Sequence, residues 1–176
     1  MPQVESAAKI WLDRIPNLED GRRNPGLDPT VAAKLFDDIL AEGEDAIVNV
    51  IDSLGESDNG KDWKTRLLLH GLLIHTGAKD REKGRERLEL VYAKSLGDER
   101  ADSAKTFVAM QLQWFATAKA VPALAAQLAS KDIPLINAAA AALTAIGKPA
   151  VDSLRKAQAN ATGDAKIAID HALKQI

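Results

Sequence analysis

Three histidines are the first residues to weigh for chemistry. His70 and His75 stand five apart in a stretch with helical periodicity. That spacing does not put them on one helix face, as the i, i+4 histidines of a helical zinc site are. Gly71-Leu72-Leu73 follows His70, so no HExxH is formed, and His171 is remote in sequence. All three read as structural or solvent-facing imidazoles rather than metal ligands. The chain has no cysteine, which removes thiolate zinc, iron–sulfur clusters, a disulfide framework and a cysteine nucleophile. It also lacks GxSxG, a glycine-rich phosphate loop and a dinucleotide fingerprint. No catalytic residue, metal or cofactor is assigned, and the chain is not read as an enzyme.

Charge is the next source of chemistry. Residues 1–60 hold 13 Asp/Glu against 5 Lys/Arg, and residues 61–176 hold 12 against 18, so a net charge of −2 conceals an acidic first third and a basic remainder. Asp37, Asp38, Glu42, Glu44 and Asp45 cluster in DDILAEGED, which lacks the alternating acids of a calcium loop. They read as a solvated face and as acidic helix starts favoured by the helix dipole, with an acidic patch for a basic partner as the functional alternative. The basic run KDREKGRER (79–87) interleaves three acids with five cations, which suggests local i, i+4 pairing. A phosphate-tracking surface is more purely cationic and adds aromatic platforms, so nucleic acid is argued against. Only 4% of residues are aromatic. Trp63 lies near Leu67, and Trp114 near Met110 and Phe115, so both read as packing residues.

The elements that must position these groups are helices. The chain is 46% apolar, and Ala and Leu rather than Val, Tyr and Phe carry the excess, which favours helix over sheet. Val4, Ala7, Ala8, Trp11, Leu12 and Ile15 follow the i, i+3, i+4 pattern and stop at Pro16. Residues 16–29 read as an irregular connector, since they contain Pro16, Gly21, Pro25, Gly26 and Pro29. Asp28 and Pro29 then open a helix as N-cap and first-turn proline, with Val31, Ala32, Leu35, Ile39 and Leu40 inward and Gly43 as its stop. Further helices are expected over 44–54, 63–76, 79–95, 99–116, 119–129, 132–146, 148–159 and 164–176. The single glycines read as turn residues. No apolar run approaches the ~18–20 residues of a membrane span. Glu5, Lys9, Asp13 and Arg14 interrupt the first 15 residues, so no secretory signal is read there; a signal removed earlier would leave no trace. The chain reads as soluble, its compartment open.

These helices repeat. Every second one opens with a small residue, an apolar one, and another apolar residue four positions after the small one: Ala46, Ile47, Val50; Ala120, Val121, Leu124; Ala150, Val151, Leu154. A looser copy is Gly84 and Leu88, with Arg85 between. The turns before them, Gly43, Gly77, Thr117 and Gly147, also correspond.

The segment IPLINAAAAALTAIGKPAVDSLRKA, with AVPALAAQLASKD before it, resembles HEAT repeats of the short, HEAT-like (PBS-lyase) type. In that family an Ala-rich A helix ends in x-A-L-x-x-I-G, and a B helix then opens with A-V-x-x-L. Ala141 to Leu143, Ile146-Gly147 and Ala150 to Leu154 match this pattern. The match covers 118–160 best and 31–54 and 61–95 more loosely, and it departs where Asn137 stands in place of the family's A-helix arginine. The resemblance implies an all-α, short right-handed α-solenoid of about four helical hairpins with terminal capping helices. The expected division is one domain over 1–176, with a cap at 1–15, the connector at 16–29, repeats at 30–55, 61–95, 99–130 and 132–160, and a second cap at 163–176. One hairpin cannot bury its own apolar stripe, so such hairpins must stack.

The resemblance also implies a non-catalytic scaffold that binds a protein or peptide on a concave surface lined by B helices. The polar B-helix positions are Asn49, Asp52, Arg81, Arg85, Gln127, Asp152, Arg155 and Lys156. Two alternatives stay open: an enzyme or enzyme accessory of the HEAT-like group, acting on modified DNA or as a bilin lyase, and a structural module of a longer array. A deep pocket holding Trp63 or Trp114 beside an isolated acid would point to the first. The partner's identity and the oligomeric state are left open.

Overall fold

In a computed structural model, residues 7–17, 27–55, 61–97 and 99–176 are described. Among them the chain is helical throughout, with no strand: α1 (Lys9–Leu12), α2 (Pro29–Glu42), α3 (Glu44–Asp52), α4 (Trp63–Thr76), α5 (Glu82–Ser95), α6 (Asp102–Leu112), α7 (Val121–Gln127), α8 (Ile133–Ile146), α9 (Val151–Gln158) and α10 (Gly163–Gln175). The expected N-terminal helix is described only as α1. Its residues 1–6 and much of the 16–29 connector lie outside the described residues.

Local chemistry accounts for the boundaries. The Asp28 carboxylate accepts from the backbone N–H groups of Thr30 and Val31 at 2.9 and 3.2 Å, and Pro29 fills the first turn, as expected. Asp132 does the same for α8, accepting from Leu135 N at 2.8 Å. Gly43 and Gly147 end α2 and α8 with φ of +113° and +78°, a left-handed region that disfavours side chains. The four corresponding turns are thus only partly alike, because Gly77 is right-handed and Thr117 extended. Two expected starts move inward. α5 begins at Glu82 rather than 79, and α6 at Asp102 rather than 99.

The helices pack as two interleaved sets. α3, α5, α7 and α9 lie side by side in that order; α2 packs on α4, and α6 on α8 and α8 on α10. α4 and α6 make no comparable backbone contact. The repeated small residues sit where these sets press together. Ala46, Ala120 and Ala150 are buried, and a Cβ at Gly84 would come within 3.3 Å of Thr76 and 3.6 Å of Leu40. Short 3-10 turns at Ala118–Ala120 and Lys148–Ala150 deliver the chain into α7 and α9 in the same way. Of the paired apolar positions, Ile47, Val50, Leu88, Val121, Leu124 and Leu154 are buried and Val151 is half-buried.

Three packing expectations are corrected. Val31 is 49% exposed, because α2 turns Leu35, Phe36 and Ile39 to the core and leaves its first turn on the rim. Trp114 is 73% exposed: α6 has ended at Leu112, and the ring projects past the core that Leu112 and Phe107 enter. Gly71 is not a turn residue. It lies inside α4 under the Phe36 ring, which a Cβ there would strike.

Candidate functional site

The eight B-helix residues fall into two groups. Four of them hold the fold together. Asp52 on α3 accepts two bonds at Oδ1 from the Arg100 guanidinium, at 3.0 and 2.6 Å. Arg81, just before α5, pairs with Asp37 of α2. Arg85 donates to the carbonyls of Thr76 and Gly77 at 3.2 and 2.8 Å, satisfying the open end of α4. Gln127 on α7 donates to Leu96 O at 3.1 Å and Ala123 O at 3.3 Å. Asn49 is half-buried on α3, whereas Asp152, Arg155 and Lys156 are exposed on α9. Of the eight, Asp52 and the α9 trio are exposed.

The basic run 79–87 behaves differently from its expected local i, i+4 pairing. Its bonds reach across elements: Arg81 to Asp37, Arg87 to Leu40 O at 2.7 Å, and Glu86 to Lys119 at 3.3 Å. The Asp37 and Asp38 carboxylates are likewise engaged rather than simply solvated. Asp37 receives Arg81 and, at 2.8 Å, His75 Nε2, and these hydrogen bonds hold its carboxyl below the usual range. Asp38 is held low in the same way by Lys34 at 3.1 Å and Arg14 at 2.9 Å. His70 Nδ1 and Gln111 Oε1 lie 2.7 Å apart, within hydrogen-bonding distance. His171 is exposed on α10. Among the described residues, no three His, Asp or Glu side chains gather as a metal site would require.

Beside Lys156 lies a groove of about 660 Å³ between α7 and α9. Pro122, Ala126 and Ala129 form one wall, Ser153, Lys156 and Ala157 the other, and Lys156 is the only charged side chain lining it among the described residues. Each wall follows the i, i+3, i+4, i+7 spacing of a single helix face. Small side chains let another backbone approach closely. Ser153 and Lys156 stand one helical turn apart on the α9 wall.

A second cleft, of about 480 Å³, lies where α1, the end of α3 and the start of α4 meet. It contains Trp63, Asp62, Lys64, Ser53 and Thr65. The Asp62 side chain is 5% exposed. Burial raises its pKa, but bonds from Arg66 Nε at 3.0 Å and Gly55 N at 3.1 Å outweigh that and hold the carboxyl below its usual range. Lys64 Nζ donates to Ile15 O at 2.7 Å, which fastens the segment after α1 to α4. Ser53 and Thr65 share a hydrogen bond of 3.0 Å. Asp62 was not among the sequence candidates, although its i, i+4 relation to Arg66 is readable. The loop partner at Gly55 is not.

Comparison of the chain with protein-family models, with curated proteins and with solved structures gives no match.

Proposed function

We propose that the chain is a short α-solenoid of HEAT-like hairpins and a non-catalytic scaffold that binds a protein or peptide through its B-helix face, centred on the α7–α9 groove. The observation that carries this reading is the groove itself. It is formed between two adjacent B helices and walled largely by small side chains, with Lys156 in its lining and Asp152 and Arg155 exposed elsewhere on α9. Support for the solenoid comes from the order α3, α5, α7, α9 and from the small residue at or near the start of each of these helices, buried at Ala46, Ala120 and Ala150 and half-buried at Gly84. Helices ordered in this way lose little entropy on docking, because their side chains are already placed.

The test is affinity capture from source lysate with three variants: Ala126→Trp and Ala157→Trp, which fill the groove, and Lys156→Glu. Circular dichroism and thermal melting verify that each variant is folded. A partner held by the wild type and released by folded groove variants supports the reading. A partner retained by all three places binding elsewhere.

A second reading rests on Trp63 beside the buried Asp62 in the smaller cleft. An aromatic ring next to an isolated acid is the arrangement an enzyme of the HEAT-like group acting on modified DNA bases would use. Against it, the Asp62 carboxylate already bonds Arg66 and Gly55. A gel shift at ~50 mM salt discriminates, because phosphate contacts are strongest when salt is low. Lack of retention removes this reading.

A further inference from the structure

With the α7–α9 groove taken, as proposed above, to be the docking surface, we infer that its occupant is an acidic peptide segment. One Asp or Glu side chain of that segment pairs with Lys156, and small residues lie on either side of it. The Lys156 ammonium in the lining has no ion-pair or hydrogen-bond partner among the described residues. The same holds for the Ser153 hydroxyl and the Asn160 side-chain amide, which also line the groove. Thr162 lines it too and, although the N-cap residue of α10, makes no side-chain capping bond. Other cations of the chain are already engaged: Arg81 on Asp37, Arg85 on two carbonyls, Arg100 on Asp52.

These groups share one property. Each can donate a hydrogen bond, and the ammonium can only donate. No carboxylate stands among the described lining residues to receive them. An acceptor-only anion satisfies them together, and in a peptide that group is a carboxylate. Phosphate matches less well, because it favours the bidentate fork of arginine, and Arg155 lies outside the lining. The register along α9 says where in the peptide the carboxylate sits. Ser153, Lys156 and Asn160 follow at single-turn spacing, so Lys156 stands in the middle of the wall. A carboxylate paired with it has groove on both sides, which places it within a bound segment rather than at a chain end. Alanines make up most of the remaining lining, and their short side chains admit a partner backbone that carries small residues.

The surrounding charge has the matching sign. Residues 117–176 hold seven Lys or Arg against four Asp and no Glu. Two of those acids are engaged within the fold, Asp132 capping α8 and Asp170 receiving Gln158. A net positive field of this kind steers an acidic segment toward the groove.

The experiment is an NMR titration of the full, isotope-labelled chain with three pools of pentapeptides whose outer positions are Gly, Ala, Ser or Thr. The first pool has Glu at the centre and both termini blocked. The second has Gln in place of Glu, and the third keeps Gln but leaves the C-terminal carboxylate free. The first pool should shift the amide resonances of Ala126, Ala129, Ser153, Lys156 and Asn160. The second should bind roughly tenfold more weakly, the size expected of one charge-assisted hydrogen bond. Lys156→Gln should abolish that preference and Lys156→Arg should keep it; the residue is exposed, so neither change threatens the fold. A preference that survives Lys156→Gln overturns the pairing. Equal binding of the first two pools overturns the acidic occupant and leaves the groove as a docking surface. A third pool that binds as tightly as the first moves the site to a chain terminus and overturns the internal side chain. If no pool shifts the groove, the acidic occupant also fails, and capture with Ala126→Trp and Ala157→Trp decides separately whether the groove docks any partner.

Discussion

The N-terminal half, α1 to α5, and the C-terminal half, α6 to α10, solve the same packing problem with different chemistry. In the first, helices are stitched by long polar side chains: Arg14 to Asp38, Arg81 and His75 to Asp37, Arg87 to the Leu40 carbonyl, Lys64 to the end of α1. In the second, α8 presents Ala138, Ala139, Ala140 and Ala142 to α6, α7 and α10, all of them buried. Few polar links are needed there, such as Gln158 to Asp170 at 2.5 Å. Where backbones approach closely through methyl groups, dispersion and burial suffice. Where they stand further apart, polar side chains fill the space and add direction but little energy, because exposed ion pairs contribute on the order of 0–1 kcal/mol. The C-terminal half therefore carries more of the apolar cohesion, and the N-terminal half more of the sensitivity to charge.

The largest expected effect probes that cohesion. Leu143 is fully buried on α8, and Leu143→Ala removes a core side chain where tightly fitted helices have little room to relax. Loss of about 2–5 kcal/mol is expected, read from urea or thermal unfolding. A loss below that range would show that the alanine-lined layer can collapse, and the contrast with the N-terminal half would fail.

Next come substitutions that add atoms. Ala139→Leu forces a larger side chain into the α8 interface and should cost about 1–3 kcal/mol. Gly71→Ala is the N-terminal counterpart. Helix propensity alone favours alanine by about 1 kcal/mol, yet the new methyl group would strike the Phe36 ring, so a net loss is expected. Adding Phe36→Leu to Gly71→Ala should recover part of it, and a double-mutant cycle measures the coupling. A stabilised Gly71→Ala single variant would mean that Phe36 moves aside freely. A smaller effect is expected at the joint between the halves. There the buried Glu89 of α5 accepts from Thr117 N at 2.7 Å and Thr117 Oγ1 at 2.9 Å, fixing the turn into α7. Glu89→Gln keeps the shape and loses the charge, and about 0.5–1.5 kcal/mol should be lost.

The two halves also differ in how well their sequences can be read. Apolar periodicity and turn residues suffice for the helices, since Asp28, Gly43, Asp132 and Gly147 act locally, and the recurring Ala46, Ala120 and Ala150 mark where helices press together. The partners of charged side chains were not readable in the same way. Arg81 meets Asp37 from 44 positions away, and Arg100 meets Asp52 from 48. Periodicity says which face a residue is on, not which helix it meets, so the run 79–87 looked self-paired. The same limit hid the split among the eight candidates: Arg85 and Gln127 look available on a helical wheel, and their carbonyl partners lie on neighbouring elements. The groove beside Lys156 was legible only as exposed polar positions, because its shape comes from two helices 30 residues apart in the repeat.

The smallest effect is the pH dependence, and it separates the halves most cleanly. Asp37, Asp38 and Asp62 have carboxyls held below their ordinary value of 3.8, the first two by their hydrogen-bonded cationic and imidazole partners, the third against burial by Arg66 and Gly55. A carboxylate with a folded pKa below its unfolded one contributes stability that is complete above the unfolded value. That contribution is lost as pH falls through the folded value. All three residues belong to α2 or the start of α4, so acidification below about 3.8 should loosen the N-terminal half first. Backbone amide resonances of α2, α3 and α4 should lose dispersion at a higher pH than those of α8 and α10 in an NMR titration. Neutralising the set with Asp37→Asn, Asp38→Asn and Asp62→Asn should lower stability at neutral pH and flatten its decline in acid. Simultaneous loss of both halves at one pH would mean that cohesion across α5 outweighs the local pairs.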